Sequence, residues 1–237
     1  MESDSLYIVM PAYNEEANIE KVVSEWYPML EISKSKDSRL VVADNGCTDS
    51  THEILLNLKT SHEKLIILSD TEKYHGPKVI ALYDYSIKEG ASYIFQTDSD
   101  GQTEPKEFEK FWKERIRYDV ILGYRNARED GKMRAAVELV VCVLLKIIFG
   151  VKVPDANAPF RLMKTDIVKK YLYKLPRDYN LPNIMLTTYF AKYKEKLVFR
   201  TISFRPRGGG QNSINIPKII KIGWKALGDF YKFKKEM

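Results

Sequence analysis

Short apolar runs alternate with longer amphipathic ones along the first half of the chain. Residues 6–10, 40–43, 65–68, 93–97 and 120–122 have the length and side-chain character of buried strands. Between them, residues 16–30, 50–58, 78–88 and 105–117 carry apolar side chains at helical spacing. The last of these opens on Pro105, where a first helical turn tolerates the missing N–H. This rhythm predicts an α/β fold, a mostly parallel central sheet flanked by helices, with the loops after the strands gathered at one sheet edge. Ligands of open α/β sheets bind at that edge.

After residue 123 the pattern changes. It reads as a helix near 134–149, a turn at Val153-Pro154-Asp155, and a mixed region ending in a strand around 198–204. Residues 205–215 are polar and include Gly208-Gly209-Gly210, the make-up of a mobile loop, and a basic amphipathic helix follows. With 237 residues, 44% of them hydrophobic, the chain is large enough for one sizeable domain. The expected organisation is a catalytic domain over 1–204, with a ligand-binding half at 1–123 and an acceptor half at 124–204. Residues 205–237 form an appended loop and helix.

Charge and cysteines narrow the partners. Thirty-eight Lys and Arg against thirty-two Asp and Glu leave a net charge of +6, which favours acidic partners such as phosphates or anionic lipid. Nucleic-acid binding would rest on that charge alone, since no motif accompanies it. Cys47 and Cys142 have no zinc-site or disulfide spacing, which fits a reduced, cytoplasmic compartment. No basic leader or cleavable apolar segment is read at the N-terminus. The longest apolar stretch, residues 139–145, is far shorter than the roughly 20 residues of a membrane span.

The strongest chemical signal is Gln96-Thr97-Asp98-Ser99-Asp100-Gly101-Gln102, directly after an expected strand. Two carboxylates and an amide oxygen there suit a hard divalent cation, Mg²⁺ or Mn²⁺, that bridges substrate phosphates. Taken alone, the same residues would also make an acidic surface turn. The first strand runs into Pro11-Ala12-Tyr13-Asn14-Glu15-Glu16, where Tyr13 can stack on a base and helix-start amides can face a diphosphate. The second strand ends in Ala43-Asp44-Asn45-Gly46-Cys47-Thr48-Asp49, where Asp44 can accept hydrogen bonds from a base or ribose. Each of these two is equally compatible with ordinary turn and capping chemistry.

In this order and spacing, the three motifs resemble family 2 glycosyltransferases of the GT-A fold, nearest the branch that makes dolichyl- or polyprenyl-phosphate mannose and glucose. Gly123-Tyr124-Arg125, residues 155–162 and residues 207–213 extend the likeness over most of the chain. The resemblance implies an inverting, metal-dependent hexosyltransferase using a UDP- or GDP-sugar. It implies that Pro11, Tyr13, Glu15, Val42 and Asp44 line the nucleotide and that Ser99 lies beneath ribose and phosphate. Asp98 would contact the donor, Asp100 and Gln102 would hold the metal, and Arg125 and Arg207 would contact phosphate. Two departures stand out. Ser213 occupies the place of the family's loop lysine, and the family's C-terminal membrane-spanning helices are not read in this sequence.

The acceptor is read as a polyprenyl phosphate or as a saccharide of a capsule or cell-wall polymer. A phosphomonoester, with its second pKa near about 6, is already a nucleophile at neutral pH. A sugar hydroxyl needs a general base, and Asp155 is the candidate, unless it braces Arg161 instead. Arg134, Arg161 and Arg205 are candidates for an acceptor phosphate, together with the arginines already named. No G-x-G-x-x-G follows a strand, which excludes a nicotinamide dehydrogenase. A nucleotidyltransferase would carry a glycine- and arginine-rich loop after the first strand, absent here. In the C-terminal helix, Ile220, Trp224, Leu227 and Tyr231 recur at helical spacing among lysines. That stripe suits either a peripheral contact on the cytoplasmic face of a membrane or packing against the domain.

Overall fold

Parallel strands covered on both sides need continuous apolar runs, and here each strand divides its side chains between two layers. The computed structural model describes residues 4–125, 132–206 and 216–237, with side chains described except at 132–136 and 216–224. Strand β1 (Leu6–Pro11) is buried throughout. Its Tyr7 and Val9 enter one hydrophobic layer, while Leu6, Ile8 and Met10 enter the other, as the two-residue period of a strand requires.

With β2 (Arg39–Ala43), β3 (Leu65–Leu68), β4 (Tyr93–Gln96), β5 (Val120–Arg125), β6 (Arg161–Lys164) and β7 (Leu197–Ile202), β1 forms one seven-stranded sheet. The order is β3-β2-β1-β4-β6-β5-β7. Strand β6 runs antiparallel to β4 and β5, and the other pairings are parallel. The strand order reverses between β1 and β4, which opens a crevice at their carboxyl ends.

On one side of the sheet lie α1 (Ile19–Trp26), α2 (Thr51–Lys59) and α4 (Pro105–Glu114). Helix α1 buries Ile19, Val22, Val23 and Trp26, one helical stripe. Trp26 stacks on Phe95 of β4 at 5.2 Å, and Phe160 closes edge-on against Phe95 at 4.7 Å. The other side carries α3 (His75–Lys88), α5 (Lys132–Phe149), α6 (Thr165–Leu172), α7 (Pro182–Lys192) and α8 (Ile216–Glu236). Helix α8 buries Ala226, Phe230 and Phe233 in that layer, with Phe230 against Phe149 at 5.8 Å and Phe233 against Tyr179 at 5.2 Å. Of the expected C-terminal stripe, Leu227 packs on that layer while Tyr231 is exposed, and Ile220 and Trp224 have side chains outside those described.

The expected sheet and flanking helices are observed, with three differences. The first helix stops as an α-helix at Trp26 and continues as a 3₁₀ turn over Tyr27–Ser33, because Pro28 has no N–H to give to the preceding turn. Strand β6 is not visible in the sequence, since it is four residues long and begins and ends with a cation. Helices α6 and α7 stand where only a mixed region is expected.

Gly123 in β5 sits where the strand touches its neighbours. A Cβ there would lie 2.9 Å from Phe160 Cβ and 2.7 Å from Ile202 Cδ1, and its N–H donates to the Phe160 carbonyl at 2.7 Å. Gly123→Ala is therefore expected to lower folding stability by about 1–3 kcal/mol, measured by urea denaturation. An unchanged midpoint would show that β5 and Phe160 can separate freely.

Candidate active site

The site is built from loops that leave the strands on either side of the reversal point, and these loops are tied to one another. Asn14 has a left-handed backbone, φ 54°, which its short polar side chain tolerates. Its Nδ2 donates to Thr48 Oγ1 at 3.1 Å, and its Oδ1 accepts from Thr48 N–H at 2.8 Å. Glu15 N–H donates to Thr51 Oγ1 at 2.8 Å, and Glu16 N–H to Asp49 Oδ2 at 3.1 Å. The β1–α1 and β2–α2 loops therefore behave as one ledge.

Tyr13 stands on that ledge, 44% exposed. Beneath it is Lys78 of α3, only 1% exposed, its ammonium 5.4 Å from the Tyr13 ring and hydrogen-bonded to the Ala12 carbonyl. Burial lowers the Lys78 pKa, and the nearby Cys47 and Asp44 pull it back up. Asp44 is itself buried, accepting from Ser69 Oγ at 2.9 Å and facing His52 Nδ1 at 2.6 Å. Glu15 is buried and accepts from Asn18 Nδ2 at 2.8 Å. The Val42 side chain is sealed in the core, so it can line a nucleotide only through its backbone.

Across the reversal point lies the acidic motif. Ser99 donates to the Pro11 carbonyl at 2.9 Å, joining the ends of β4 and β1. Asp98 and Asp100 are half-buried on either side of it. Asp100 Oδ1 accepts from Gln102 N–H at 3.1 Å, and Gln102 Nε2 donates to the Arg205 carbonyl at 2.7 Å. Arg205 N–H returns a bond to the Gln102 carbonyl at 2.8 Å, and its guanidinium pairs with Glu104. Gln102 is thereby held with its donor side engaged, leaving its Oε1 as the atom suited to a cation. Carboxylate and amide oxygens are the donors Mg²⁺ and Mn²⁺ take. Among the described residues no group of three or more His, Cys, Asp and Glu converges, so a cation here would need substrate phosphates or water to complete its shell.

The second half of the chain is organised around Arg125 at the end of β5. Its Nε and Nη2 donate to Asp155 at 2.7 and 3.0 Å, Glu138 of α5 lies 3.9 Å away, and Phe204 packs on the guanidinium at 5.2 Å. Burial works against the charge on Arg125. The hydrogen bonds and charge of Asp155, then Glu138 and Asp98, outweigh it and hold the guanidinium above its usual range. Asp155 Oδ1 also accepts from Asn157 N–H at 3.1 Å, and Glu138 Oε1 accepts from Ala156 N–H at 2.7 Å.

Asp155 thus braces Arg125 and not Arg161. Arg161, expected at an acceptor phosphate, is fully buried under the loop, where it donates to Thr187 Oγ1 at 2.9 Å and to the Asn183 carbonyl at 3.3 Å. Burial lowers its pKa. Arg205, also expected at an acceptor phosphate, sits beside the acidic motif with its guanidinium paired to Glu104. Arg134 falls in α5 with its side chain outside those described, and Arg207 and Ser213 lie outside the described residues.

Three site residues escape the sequence reading. Lys78 sits at the start of an ordinary amphipathic helix, and nothing in the pattern signals its burial. His52 looks like a surface helix residue. Glu138 carries a signal in hindsight, being the single acid of a strongly apolar helix.

Residues 7–172 match the model of glycosyl transferase family 2. A dolichyl-phosphate β-glucosyltransferase of Trichomonas vaginalis is 23% identical over 179 residues, 69% of this chain and 54% of that protein. An undecaprenyl-phosphate 4-deoxy-4-formamido-L-arabinose transferase of Shewanella sediminis is 23% identical over 225 residues, 94% of this chain and 66% of that one. The chain thus spans between about half and two thirds of the length of these curated relatives. Among solved structures, glucosyl-3-phosphoglycerate synthase of Mycobacterium tuberculosis with Mn²⁺ and UDP-glucose superposes with a TM-score of 0.70. Sequence identity is 13%, and the match covers 97% of this chain and 79% of that one. That likeness makes the fold GT-A.

The Arg125–Asp155 geometry carries a prediction. Asp155→Asn leaves a buried guanidinium without its bidentate partner and is expected to cost about 3 kcal/mol of stability, read by urea denaturation. A variant that keeps wild-type stability while losing only turnover would mark Asp155 as a free base and not a brace.

Proposed function

Because the chain belongs to glycosyl transferase family 2, we propose that it moves a hexose from a UDP- or GDP-sugar to a polyprenyl phosphate, in one inverting displacement assisted by Mg²⁺ or Mn²⁺. The observation that carries this reading is the pairing of Asp155 with Arg125. A saccharide acceptor needs a base to take its hydroxyl proton. The one carboxylate offered for that task is buried, with both oxygens engaged. A phosphate acceptor arrives already ionised and needs cations to orient it.

In this reading, Tyr13 stacks on the base and Asp44, oriented by His52 and Ser69, accepts from base or ribose. Lys78 places positive charge under the ledge. Asp98 and Asp100 stand at the diphosphate, with Asp100 and Gln102 as the residues that would hold the divalent ion. That ion supplies Lewis-acid neutralisation of the departing nucleoside diphosphate. Arg125, held by Asp155 through Nε and Nη2, would supply positive charge to the acceptor phosphate. Attack on the face of the sugar opposite the leaving group inverts the anomeric carbon. The relatives that act on dolichyl and undecaprenyl phosphate support the acceptor class. The neighbour that binds UDP-glucose makes a UDP-hexose the first donor to try.

Asp100→Ala is expected to cut kcat/KM by at least about 100-fold and to abolish metal-dependent donor binding in calorimetry, with the melting temperature preserved. Wild-type protein should glycosylate a prenyl phosphate and leave the matching prenol untouched. Turnover in excess chelator would remove the metal from the mechanism, and efficient use of a saccharide acceptor would overturn the acceptor assignment.

A further inference from the structure

The carboxylate of Asp44 is set in place from two sides by its own protein. Its backbone N–H donates to the Leu68 carbonyl at 3.3 Å, and its carbonyl accepts from Cys47 N–H at 3.3 Å. Ser69, directly after β3, donates to Oδ1 at 2.9 Å, and His52 Nδ1, in the first turn of α2, lies 2.6 Å from Oδ2. An ionised carboxylate only accepts, so Nδ1 carries the proton of that bond.

His52 does not serve the core. Its side chain is 46% exposed, against 1% for that of Asp44. Helix α2 is seated by its buried Thr51 and Leu55, and Thr51 and Asp49 tie its start to the β1–α1 loop. What the His52 bond fixes is the direction of a buried carboxylate.

That carboxylate stands beside the place of the base. Its charge is felt by Cys47 of the same loop and by Lys78 of α3, whose ammonium lies 5.4 Å from the Tyr13 ring. A base laid on Tyr13 would therefore turn an edge toward Asp44. Each carboxylate oxygen already holds one donor, and the residue is only 2% exposed. Little capacity is left for a bidentate ligand such as a ribose diol, but a single N–H arriving edge-on still finds an acceptor. Uracil at N3 and guanine at N1 offer such a ring N–H, whereas cytosine and adenine present a bare ring nitrogen there. A site built to bond an N–H rejects a ring without it, because its buried acceptor is left unpaired.

We propose that His52 is a positioning residue for base selection: by holding Asp44 Oδ2 it aims the carboxylate at a ring N–H, so that the donor pocket takes a uracil or guanine nucleotide over a cytosine or adenine one. This rests on the reading of Asp44 as a contact of the donor, and it commits that contact to the base.

The test is calorimetry on the full chain with Mn²⁺ and UDP, GDP, CDP or ADP. The tighter of UDP and GDP is then compared with its ring-methylated form, N3-methyl-UDP or N1-methyl-GDP. Wild type should bind UDP or GDP at least about tenfold more tightly than CDP, ADP and the methylated form. His52→Leu should lose about tenfold on the unmethylated nucleotide and stay within about twofold of wild type on the methylated one, which also reports an intact site. His52→Asn, whose Nδ2 can stand where Nδ1 stood, should bind within about threefold of wild type.

Equal losses on both probes would make His52 a structural prop and overturn the proposal. So would a His52→Asn no better than His52→Leu. Wild type that binds none of these nucleotides, or binds UDP or GDP no better than the methylated form, sinks the reading of Asp44 as a base contact and this inference with it. Discrimination kept by wild type and by His52→Leu alike leaves that reading standing and removes only the role of His52.

Discussion

The buried pair of Arg125 and Asp155 is the joint on which the second half of this molecule is assembled. Removing two charges from water is costly, and attraction alone seldom repays it unless the remaining hydrogen-bonding positions are filled. Here they are largely filled: the pair is bidentate, Asn157 N–H donates to the carboxylate, and Glu138 adds a second acid. Four segments meet there, the end of β5, the loop at 155–157, helix α5 and Phe204 after β7. A second buried network lies beneath. Arg161 donates to Thr187, which donates to the Ala156 carbonyl, and Gln96 accepts from Tyr83 and from Asn183. Polar groups so placed can be satisfied in few arrangements, so they hold the loop at 155–157 in one position.

The first half of the chain is fixed by different means. There the ties are mainly between neighbouring loops: Asn14 with Thr48, Glu15 with Thr51, Glu16 with Asp49, and Ser99 with the Pro11 carbonyl. These bonds are individually modest, about 1 kcal/mol each. Their effect is to set Tyr13 and the acidic motif at fixed positions on opposite sides of the β1–β4 crevice. Charge is also divided between the sides. Lys78 lies below Tyr13, Arg205 flanks Gln102, and Arg125 stands where the charge of Asp98 is felt.

Helices α5 and α8 meet different fates. The described part of helix α8 folds Ala226, Phe230 and Phe233 onto the layer containing Tyr179 and Phe149. Helix α5 is anchored by Glu138 and by Leu145, Ile148 and Phe149, which fixes its rotation and leaves its remaining aliphatic arc outward. The rotation of α5 is thus a consequence of the same ion-pair cluster that holds the loop at 155–157.

Some of this was legible in the sequence alone. The parallel strands over residues 6–122 announce themselves because strands buried on both sides must be continuous apolar runs. The motifs at 11–16, 44–49 and 96–102 follow them because strand ends are where the backbone turns polar. Those features are local, and local physics writes them into consecutive residues. Which residues meet was decided by the tertiary structure. Strand β6 inserts between β4 and β5 although its sequence begins and ends with cations, because Arg161 finds buried acceptors on α7, far along the chain. Asp155 pairs with Arg125 and not with nearby Arg161, and Lys78 is buried beneath Tyr13, through contacts between segments tens of residues apart. A charged side chain carries no mark of the partner it will have, since burial and pairing arise only when the chain closes on itself.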